Sequence, residues 1–404
     1  YVIGGLTPDT RNLISGNQGD GLHFQTGFQG GPSDGMRIQG NLIGTTVSGL
    51  APLVNGTVAV GGRSIVLVTG SGGAQNIPGG GSDPQARNVL GGVSGGTPLY
   101  IEQYTASGPG FLGSRIEGNL LGLDVAGTTI LGNSRVFVRS EVRGLTIGGT
   151  TPGTGNVFAG GSLGVDLAGQ AQVLGNSIYS HTGLGLSIAS GTRVPNDAND
   201  ADTRRQNFPE ISAYTLGGGN ASINYRVDSD VANSAYPLRV EFYQADGDEG
   251  RHFIGADSYL AAEAQSTKPI TLPIPSGLAL SSDDVIVATA TDANGNTSEF
   301  SFALIQSLSI LSDSPDPSPA GTGYLVSVRA ESAGTPFKPN GSVRISDDRG
   351  GSCVAPLGAT ATANRSEGGC ELSTTGAAGT GSPTAGYSPL PRAFAAAAGA
   401  SRAA

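Results

Sequence analysis

Four residues in the N-terminal part of the chain have side chains suited to acid–base chemistry. Asp20 precedes His23 by three residues, a spacing at which a carboxylate can orient an imidazole as a general base. Asp34 and Glu102 would supply further carboxylates on the same side of the fold. A GDG stretch followed by histidine also fits a tight turn with a surface histidine, and we favour that structural interpretation over a catalytic one.

Two inserted stretches, TGFQGGPSDG (26–35) and YTASGPGFLGS (104–114), carry aromatic residues among glycines and hydroxyl groups. We predict that Phe28, Tyr104 and Phe111 lie on one face and bind a sugar or a protein partner, because aromatic rings with polar neighbours suit both kinds of ligand. The alternative, in which the rings only cover an exposed edge of the fold, stays open.

The stretch NDANDADT (196–203) is rich in hard oxygen ligands of the kind that Ca²⁺ prefers. The candidate ligands are Asp197, Asn199, Asp200 and Asp202. The stretch lacks the Gly and the terminal Glu of an EF-hand loop, and Arg204 and Arg205 follow it directly. A solvated linker without metal is therefore the competing interpretation, and we favour it. No other cofactor is expected.

The composition limits the class of protein and of partner. The 404 residues include 67 Gly, 23 Pro and no Trp, yet 37% are hydrophobic, which is typical of short strands between tight turns. The formal charge of −10 disfavours nucleic acid or an anionic membrane surface as a partner. No run of eighteen apolar residues occurs, so the sequence predicts no membrane-spanning helix.

A repeated unit must position these residues. The stretch RIQGNLIGTTVSG (37–49) recurs as RIEGNLLGLDVAG (115–127), and a shorter third copy runs over 146–179. Each copy contains two anchoring asparagines. They are Asn12, Asn88 and Asn156 at the first position and Asn41, Asn119 and Asn176 at the second.

Each copy consists of short alternating runs that end at Gly or Asn, and the Gly density excludes helices. This pattern predicts a solenoid with a coil period of roughly 20–25 residues, in which each coil buries its apolar face against its neighbours. Equivalent residues would then lie about 4.8 Å apart, so the asparagines are expected to stack into a hydrogen-bonded ladder at a turn.

With its ordered N-x-I-x-GN and GN-x-IG signatures, the region 1–190 resembles bacterial right-handed parallel β-helix repeat proteins of the pectate-lyase-like superfold. The resemblance implies an all-β solenoid that hosts lyases and hydrolases in some members. Lyases of this shape need a basic residue beside a uronate, but residues 1–267 contain no lysine, and Arg37 and Arg115 occupy equivalent repeat positions. Hydrolases of this shape use clustered Asp residues, and this region has no adjacent Asp pair.

The periodicity stops near residue 190, which predicts further domains. An Asp-rich junction (191–207) precedes an antiparallel β-sandwich (208–305) in which Asn294-Gly295 signals a hairpin. An Ig-like and possibly truncated domain (306–377) follows, and an Ala/Gly/Ser/Pro tail (378–404) is expected to be disordered. Cys353 and Cys370 lie close enough in sequence to pair locally, which suits an oxidising compartment.

These observations favour a bacterial protein at the cell surface or outside the cell, in which the β-helix displays a binding edge and the sandwich modules act as spacers. We expect a polysaccharide or a surface protein as partner. The opening YVIGGLTPDT reads as the middle of a repeat, so we expect the chain to be part of a longer one. The alternative function is a polysaccharide lyase or glycoside hydrolase with its site near Asp20, His23, Asp34 and Glu102.

Overall fold

The computed structural model shows a nearly all-β chain. It describes residues 1–26, 33–56, 62–70, 74–75, 78–92, 96–105, 108, 110–202, 204–280, 284–302, 305–315, 322–332, 342–347, 351–362, 365–373 and 383–388. Helical structure in these ranges consists of single 3₁₀ turns at Pro8–Thr10, Pro84–Ala86, Ala198–Asp200 and Ala261–Glu263. None of the described helices has the length and apolar character needed to cross a membrane.

The first twenty strands belong to the solenoid. They are β1 (Val2–Gly4), β2 (Leu13–Ile14), β3 (Leu22–Thr26), β4 (Ser33–Asp34), β5 (Arg37–Gln39), β6 (Leu42–Ile43), β7 (Ile65–Thr69), β8 (Ala74–Gln75), β9 (Pro78–Gly80), β10 (Val89–Leu90), β11 (Leu99–Gln103), β12 (Ser114–Glu117), β13 (Leu120–Leu121), β14 (Val136–Val138), β15 (Leu145–Gly148), β16 (Val157–Ala159), β17 (Val165–Leu167), β18 (Ala171–Leu174), β19 (Ser177–Tyr179) and β20 (Leu186–Ser187).

Eighteen of these strands form three parallel sheets of six strands each, so the chain makes six coils of a parallel β-helix, and β4 and β8 pair with each other in a separate two-stranded parallel sheet. Sheet A has the order β1-β5-β9-β12-β15-β18, sheet B the order β2-β6-β10-β13-β16-β19 and sheet C the order β3-β7-β11-β14-β17-β20. Side chains that point into the coils form one continuous apolar core, because every coil stacks its inward residues on those of its neighbours. The predicted all-β solenoid is confirmed.

The predicted coil period is wrong. Equivalent inward positions in sheet A are Ile3, Ile38, Gly79, Ile116, Ile147 and Val173, so a coil takes 26 to 41 residues rather than 20–25. Ile38 and Ile116 of the repeated motif lie two coils apart, with Gly79 between them. The sequence copy is therefore a pair of coils, and three copies give six coils. Insertions at the corners between the sheets make each coil longer than the period that the short strands in the sequence predict.

The asparagine ladder is confirmed, and it is longer than either set of three. Asn12, Asn41, Asn88, Asn119, Asn156 and Asn176 stack in one column between sheets A and B. Each side-chain Nδ2 donates to the Oδ1 of the asparagine in the next coil at 2.9 Å. From Asn41 onward, each Nδ2 also donates to a sheet A carbonyl oxygen of the preceding coil.

The repeated motif also builds a second layer outside sheet B. Leu42 and Leu120 point away from the coil interior and join an outer apolar cluster, whereas the residues that follow them point inward. Two hairpins cover this cluster, at 44–53 and 122–131, each closed by an antiparallel bridge. The backbone N–H of Val125 donates to the carbonyl oxygen of Gly49 at 2.9 Å, so the hairpins stack directly although a coil separates them in sequence.

The second unit is a sandwich of two three-stranded antiparallel sheets. One sheet contains β21 (Glu210–Gly217), β22 (Asn220–Arg226) and β25 (Lys268–Pro273), and the other contains β24 (Glu249–Tyr259), β23 (Leu238–Asp246) and β26 (Ile286–Thr291). Their facing sides enclose a separate core in which Tyr225, Phe242 and Tyr259 are fully buried. The Asn294-Gly295 turn follows β26 and is closed by hydrogen bonds to Asp292.

The third unit also has two antiparallel sheets. One contains β27 (Ile305–Ser314), β28 (Tyr324–Ser332), β32 (Arg365–Leu372) and β31 (Gly358–Ala359), and the other contains β30 (Ser352–Pro356), β29 (Ser342–Asp347) and β33 (Pro383–Ser388). The disulfide between Cys353 and Cys370 joins the two sheets.

The prediction of a disordered tail over 378–404 is wrong at β33, which pairs with β29. Pro383 and Ala385 are buried there, and Thr384 between them is exposed. Because these side chains are small, the sequence did not show the alternation of buried and exposed residues. The remainder of the predicted tail lies outside the described residues.

Replacing a central rung of the ladder should destabilise the β-helix. Asn119→Ala removes the acceptor of two buried donors, the backbone N–H and the Nδ2 of Asn88. Because an unsatisfied buried polar group costs roughly 1–3 kcal/mol, we expect a loss of about 3 kcal/mol in the free energy of unfolding, measured by urea denaturation followed by circular dichroism. Asn133→Ala is the control, since Asn133 is only partly buried and outside the ladder. Equal losses in both variants would contradict a special role for the ladder.

Candidate ligand-binding face

The outer face of sheet C carries the most chemically diverse side chains of the solenoid. Strand alternation turns every second residue outward, and parallel register places outward residues of successive coils side by side. One such row runs along the axis of the β-helix and contains His23, Val66, Tyr100, Phe137 and Asp166. The residues between them, such as Ile101 and Val138, point into the core. A short local pattern therefore produces a row that crosses five coils.

Two aromatic rings in this row are each covered by an arginine. The Arg63 guanidinium lies 4.2 Å from the centre of the Tyr100 ring, and the Arg135 guanidinium lies 4.8 Å from that of Phe137. The two rings are neighbours, with centres 5.7 Å apart. A guanidinium over an aromatic face is held by the ring quadrupole, which keeps both planar groups in fixed positions.

Acidic groups beside the rings complete the row. Glu102 Oε1 lies 3.3 Å from Nε of Arg139, and the Tyr100 hydroxyl donates to Glu102 Oε2 at 3.2 Å. Burial, followed by the neighbouring Glu102 carboxylate, raises the pKa of Tyr100, so its hydroxyl remains a donor at neutral pH. Arg135 forms an ion pair with the fully buried Asp166. The face thus combines two planar rings with arginine side chains, the Tyr100 hydroxyl and the Glu102 carboxylate.

Two residues of the predicted aromatic site, Tyr104 and Phe111, lie in different environments. Tyr104 is 57% exposed at the corner where sheet C leads into sheet A, next to the outer face. Phe111 is fully buried in the coil core, so its assignment to a binding face is wrong. The backbone N–H of Phe111 donates to the carbonyl oxygen of Arg143 at 2.9 Å, and with this hydrogen bond the Phe111 ring faces inward. Phe28 lies outside the described residues.

The four predicted acid–base residues do not form one site. His23 Nδ1 lies 3.4 Å from Asp20 Oδ2, and the histidine side chain is 51% exposed. Asp20 Oδ1 also accepts the backbone N–H of Arg63 from the next coil, as expected of a turn residue. Glu102 lies two coils from His23, about 10 Å across the sheet at the usual strand spacing, and is also displaced by two residues along the strand, because His23 aligns with Tyr100. Asp34 pairs through its backbone in β4, and its side chain lies outside the description.

A Ser–His–Glu arrangement that the sequence did not reveal lies at the opposite corner. Ser134 Oγ lies 2.7 Å from His181 Nε2, and His181 Nδ1 lies 2.9 Å from Glu249 Oε1. These distances match a nucleophile, base and orienting acid. The side chains of Ser134 and His181 are nevertheless fully buried, so no substrate reaches them in this structure. The network connects two coils to the sandwich, and sequence separations of 47 and 68 residues concealed it.

Glu249 is one of three buried glutamates of the sandwich that contact the last coil. Glu241 accepts the backbone N–H of Gly175 at 2.8 Å, and Glu249 accepts that of His181 at 3.1 Å. Glu299 accepts the N–H groups of Ile188 and Val194. Burial raises the pKa of Glu299 to about 7 and also raises the pKa of Glu249. The three glutamates thus belong to an interdomain contact.

The junction brings three of the four predicted calcium ligands together. One carboxylate oxygen from each of Asp197, Asp200 and Asp202 lies within 4.8 Å of the others. The amide oxygen of the fourth, Asn199, accepts a hydrogen bond from Gln265 Nε2 at 2.6 Å.

Asp200 is already satisfied by donors of the protein. They are Gln206 Nε2, the Asn207 backbone N–H and the hydroxyl groups of Ser229 and Ser234. Burial raises the pKa of Asp200 to about 6 and, together with the Asp197 charge, raises the pKa of Asp202. The cluster therefore has the oxygen ligands for a cation, while hydrogen bonds already stabilise its buried member.

No protein-family model matches this chain, and no curated protein matches it.

The raised pKa of Glu299 predicts a pH-dependent stability. A carboxyl group whose folded-state pKa lies near 7 instead of 4.5 stabilises the fold fully below about pH 4.5, and this contribution is lost as the pH rises through 7. We expect the free energy of unfolding to fall by about 3 kcal/mol between pH 5 and pH 8. In Glu299→Gln this segment of the curve should be nearly flat.

Thermal and urea unfolding across that pH range provides the measurement. Asp200→Asn is the matched control, because Asp200 has a folded-state pKa of about 6 and its loss should flatten the curve only at lower pH. A Glu299→Gln curve parallel to that of the wild type would contradict the assignment.

Proposed function

We propose that this protein is an exported or cell-surface binding module in which the outer face of sheet C binds a glycan. The observation that carries the proposal is the pair of aromatic rings, Tyr100 and Phe137, each fixed under an arginine on a partly exposed face. Rigid aromatic surfaces with adjacent hydroxyl donors and charged groups suit sugar rings, which present apolar CH faces and polar edges. Tyr104 at the neighbouring corner would extend this surface.

The arrangement favours binding over catalysis. Glu102 is held as an acceptor by Arg139 and by the Tyr100 hydroxyl, which is the state of a ligand-contacting carboxylate rather than of a general acid. Glu249 and Glu299, whose pKa is raised by burial, belong instead to the contact with the sandwich, and Asp200 and Asp202, whose pKa is also raised, belong to the junction. The sandwich units then act as spacers, and the Cys353–Cys370 disulfide supports an oxidising, extracellular location.

A carbohydrate-active enzyme is the second candidate. The close group of Tyr100, Glu102 and Arg139 favours it, since a tyrosine hydroxyl, a carboxylate and a guanidinium are the components of many lyase and hydrolase sites. Such an enzyme would act on the same face, so both candidates are tested with the same variants.

Removing either ring should weaken glycan binding. We expect Tyr100→Ala and Phe137→Ala each to lower affinity at least tenfold, about 1.4 kcal/mol, because each loses a stacking surface. The measurement is binding to an array of neutral and acidic polysaccharides, followed by calorimetry with the best ligand. Arg115→Ala is the control, because Arg115 lies on sheet A, away from the proposed face, and forms an exposed ion pair there with Glu117.

Unchanged affinity in both ring variants would exclude this face. Release of unsaturated or reducing sugar ends during incubation with the same polysaccharides would exclude a binding-only function and favour the enzyme.

We also propose that the junction takes Ca²⁺ through Asp197 and Asp202, which are only partly buried, with Asp200 as a third oxygen donor. Millimolar Ca²⁺ should raise the free energy of unfolding by about 1–3 kcal/mol if the dissociation constant lies 10- to 100-fold below the ion concentration. The melting temperature is compared with Ca²⁺ and with a chelator. Asp202→Asn should remove the difference, whereas Mg²⁺ should not replace Ca²⁺. An identical melting temperature in both buffers would refute calcium binding.

A further inference from the structure

The two sheets of the sandwich end in four edge strands, β21 and β25 in one sheet and β24 and β26 in the other. An edge strand presents a row of backbone N–H and C=O groups that can pair with another strand, and proteins usually protect such edges. In the part of the chain that the structure describes, three of the four edges are protected, each in a different way. The edge of β21 differs from them.

The edge of β26 is covered by the chain that follows it. The N–H groups of Ser298 and Ser301 donate to the carbonyl oxygens of Ala290 and Ala288 at 2.8 and 2.7 Å. The hydroxyl oxygens of the same serines accept the N–H groups of Ala290 and Ala288, each at 2.9 Å. The segment 298–301 therefore takes the place of a next strand.

The other two protected edges have proline, charge and irregular pairing. β25 contains Pro269 and Pro273, which have no N–H group to donate to a further strand. β24 carries Arg251 and Asp257, and its register with β23 shifts twice. Charged side chains and bulges both oppose the addition of a strand at an edge.

The second half of β21 is regular and uncharged. Its pairing with β22 is irregular only before Ala213, and residues 213–217, with the sequence AYTLG, pair without interruption. They include no charged residue and no proline. The side chains of Ala213 and Thr215 are exposed, whereas Tyr214 and Leu216 pack against the sandwich core.

The hairpin turn after β21 determines which of its backbone groups point away from β22. The two-glycine turn 218–219 has positive φ at both residues, as in a type I′ turn, and it is closed by the pair Gly217 and Asn220. Hydrogen-bonded and non-hydrogen-bonded pairs alternate along an antiparallel ladder. The N–H and C=O groups of Tyr214 and Leu216 therefore point outward, and among the described residues no hydrogen bond reaches them from that side.

We infer that β21 of one copy pairs antiparallel with β21 of a second copy of this chain. With Thr215 opposite Thr215 of the second copy, Tyr214 and Leu216 exchange both of their backbone hydrogen bonds, on each side of the two-fold axis. The same register places the Tyr214 side chain beside that of Leu216 on the core side, and an apolar pair of this kind stabilises a sheet. The contact uses the same residues of both copies, so it closes at two.

The β21 edge also matches itself in charge. The chain has a formal net charge of −10, so two copies repel each other over much of their surfaces. At residues 213–217 this repulsion is absent, because the segment is neutral. Few residues of each copy take part, so the dimer is expected to be weak and to depend on concentration.

Sedimentation of the full chain over a range of concentrations measures the association. Between about 1 and 500 μM protein, the average mass should rise from one copy toward two and not exceed two. Hydrogen exchange at the outward amides of Tyr214 and Leu216 should slow by about fivefold or more over the same range. The Thr215 amide points toward β22 and should stay protected throughout.

A lysine at the two-fold axis should weaken the dimer. Thr215→Lys places two ammonium groups opposite each other, with Cβ atoms about 5 Å apart, and we expect the association constant to fall about tenfold or more. Thr271→Lys is the matched control, because Thr271 is exposed on the outer side of β25 at the same level, two strands from the edge. Equal melting temperatures of the two variants would show that both are folded.

A cysteine at the same position provides an independent readout. Residues opposite each other in a non-hydrogen-bonded antiparallel pair have Cα atoms about 4.5 Å apart, which a disulfide can span. Both native cysteines are already paired with each other. Mild oxidation of Thr215→Cys should therefore link two copies covalently, whereas Thr271→Cys should remain a single copy.

Three results would overturn the inference. The first is a mass of one copy at every concentration. The second is association that Thr215→Lys leaves unchanged, together with no covalent dimer of Thr215→Cys, which would place the contact elsewhere. The third is slow exchange of the Tyr214 and Leu216 amides at every dilution, which would show that another part of the same chain covers the edge.

Discussion

Successive coils of the β-helix are joined by hydrogen bonds between asparagine side chains, which are buried from Asn41 onward. The chain must turn sharply between sheets A and B, and a buried turn leaves backbone groups without partners unless side chains satisfy them. The ladder satisfies them on both sides, because each Nδ2 bonds a carbonyl oxygen of the preceding coil and an Oδ1 of the following one. This constraint fixes the register of all three sheets, and the outward row on sheet C follows from that register.

The ladder and the ligand-binding face are therefore linked by geometry. Tyr100 and Phe137 are neighbours only because their coils are stacked in register at the asparagine turn. Arg63, which precedes β7, covers the Tyr100 ring of the next coil, and Arg135, which precedes β14, covers the Phe137 ring of its own coil. A binding surface made in this way is rigid, since each side chain is attached to a paired strand.

Local patterns in the sequence were sufficient to predict the architecture and the asparagine ladder. They were not sufficient to predict the other side-chain contacts between coils. Asn, Gly and alternating apolar residues specify the solenoid because each acts within a few positions of the chain, and the ladder follows from identical residues in equivalent turns. Phe111 was misassigned because an insertion can fold inward or outward with the same composition. Tyr100 and Phe137 could have been found from outward aromatic positions beside arginines. The contact of Ser134, His181 and Glu249 had no such signal, since it requires the docking of a separate unit.

The stacked hairpins have a consequence for how such a chain can lengthen. Gly49 and Val125 touch because a coil with a short corner lies between the coils that carry them. Duplication of a coil that carries a hairpin would place two hairpins on adjacent coils, with no room between them. Duplication of the coil between them would move the hairpins apart and expose the leucine side chains that they cover. Duplication of a coil pair preserves the spacing. A duplicated segment that keeps the hairpins in contact would therefore encode two turns of the solenoid.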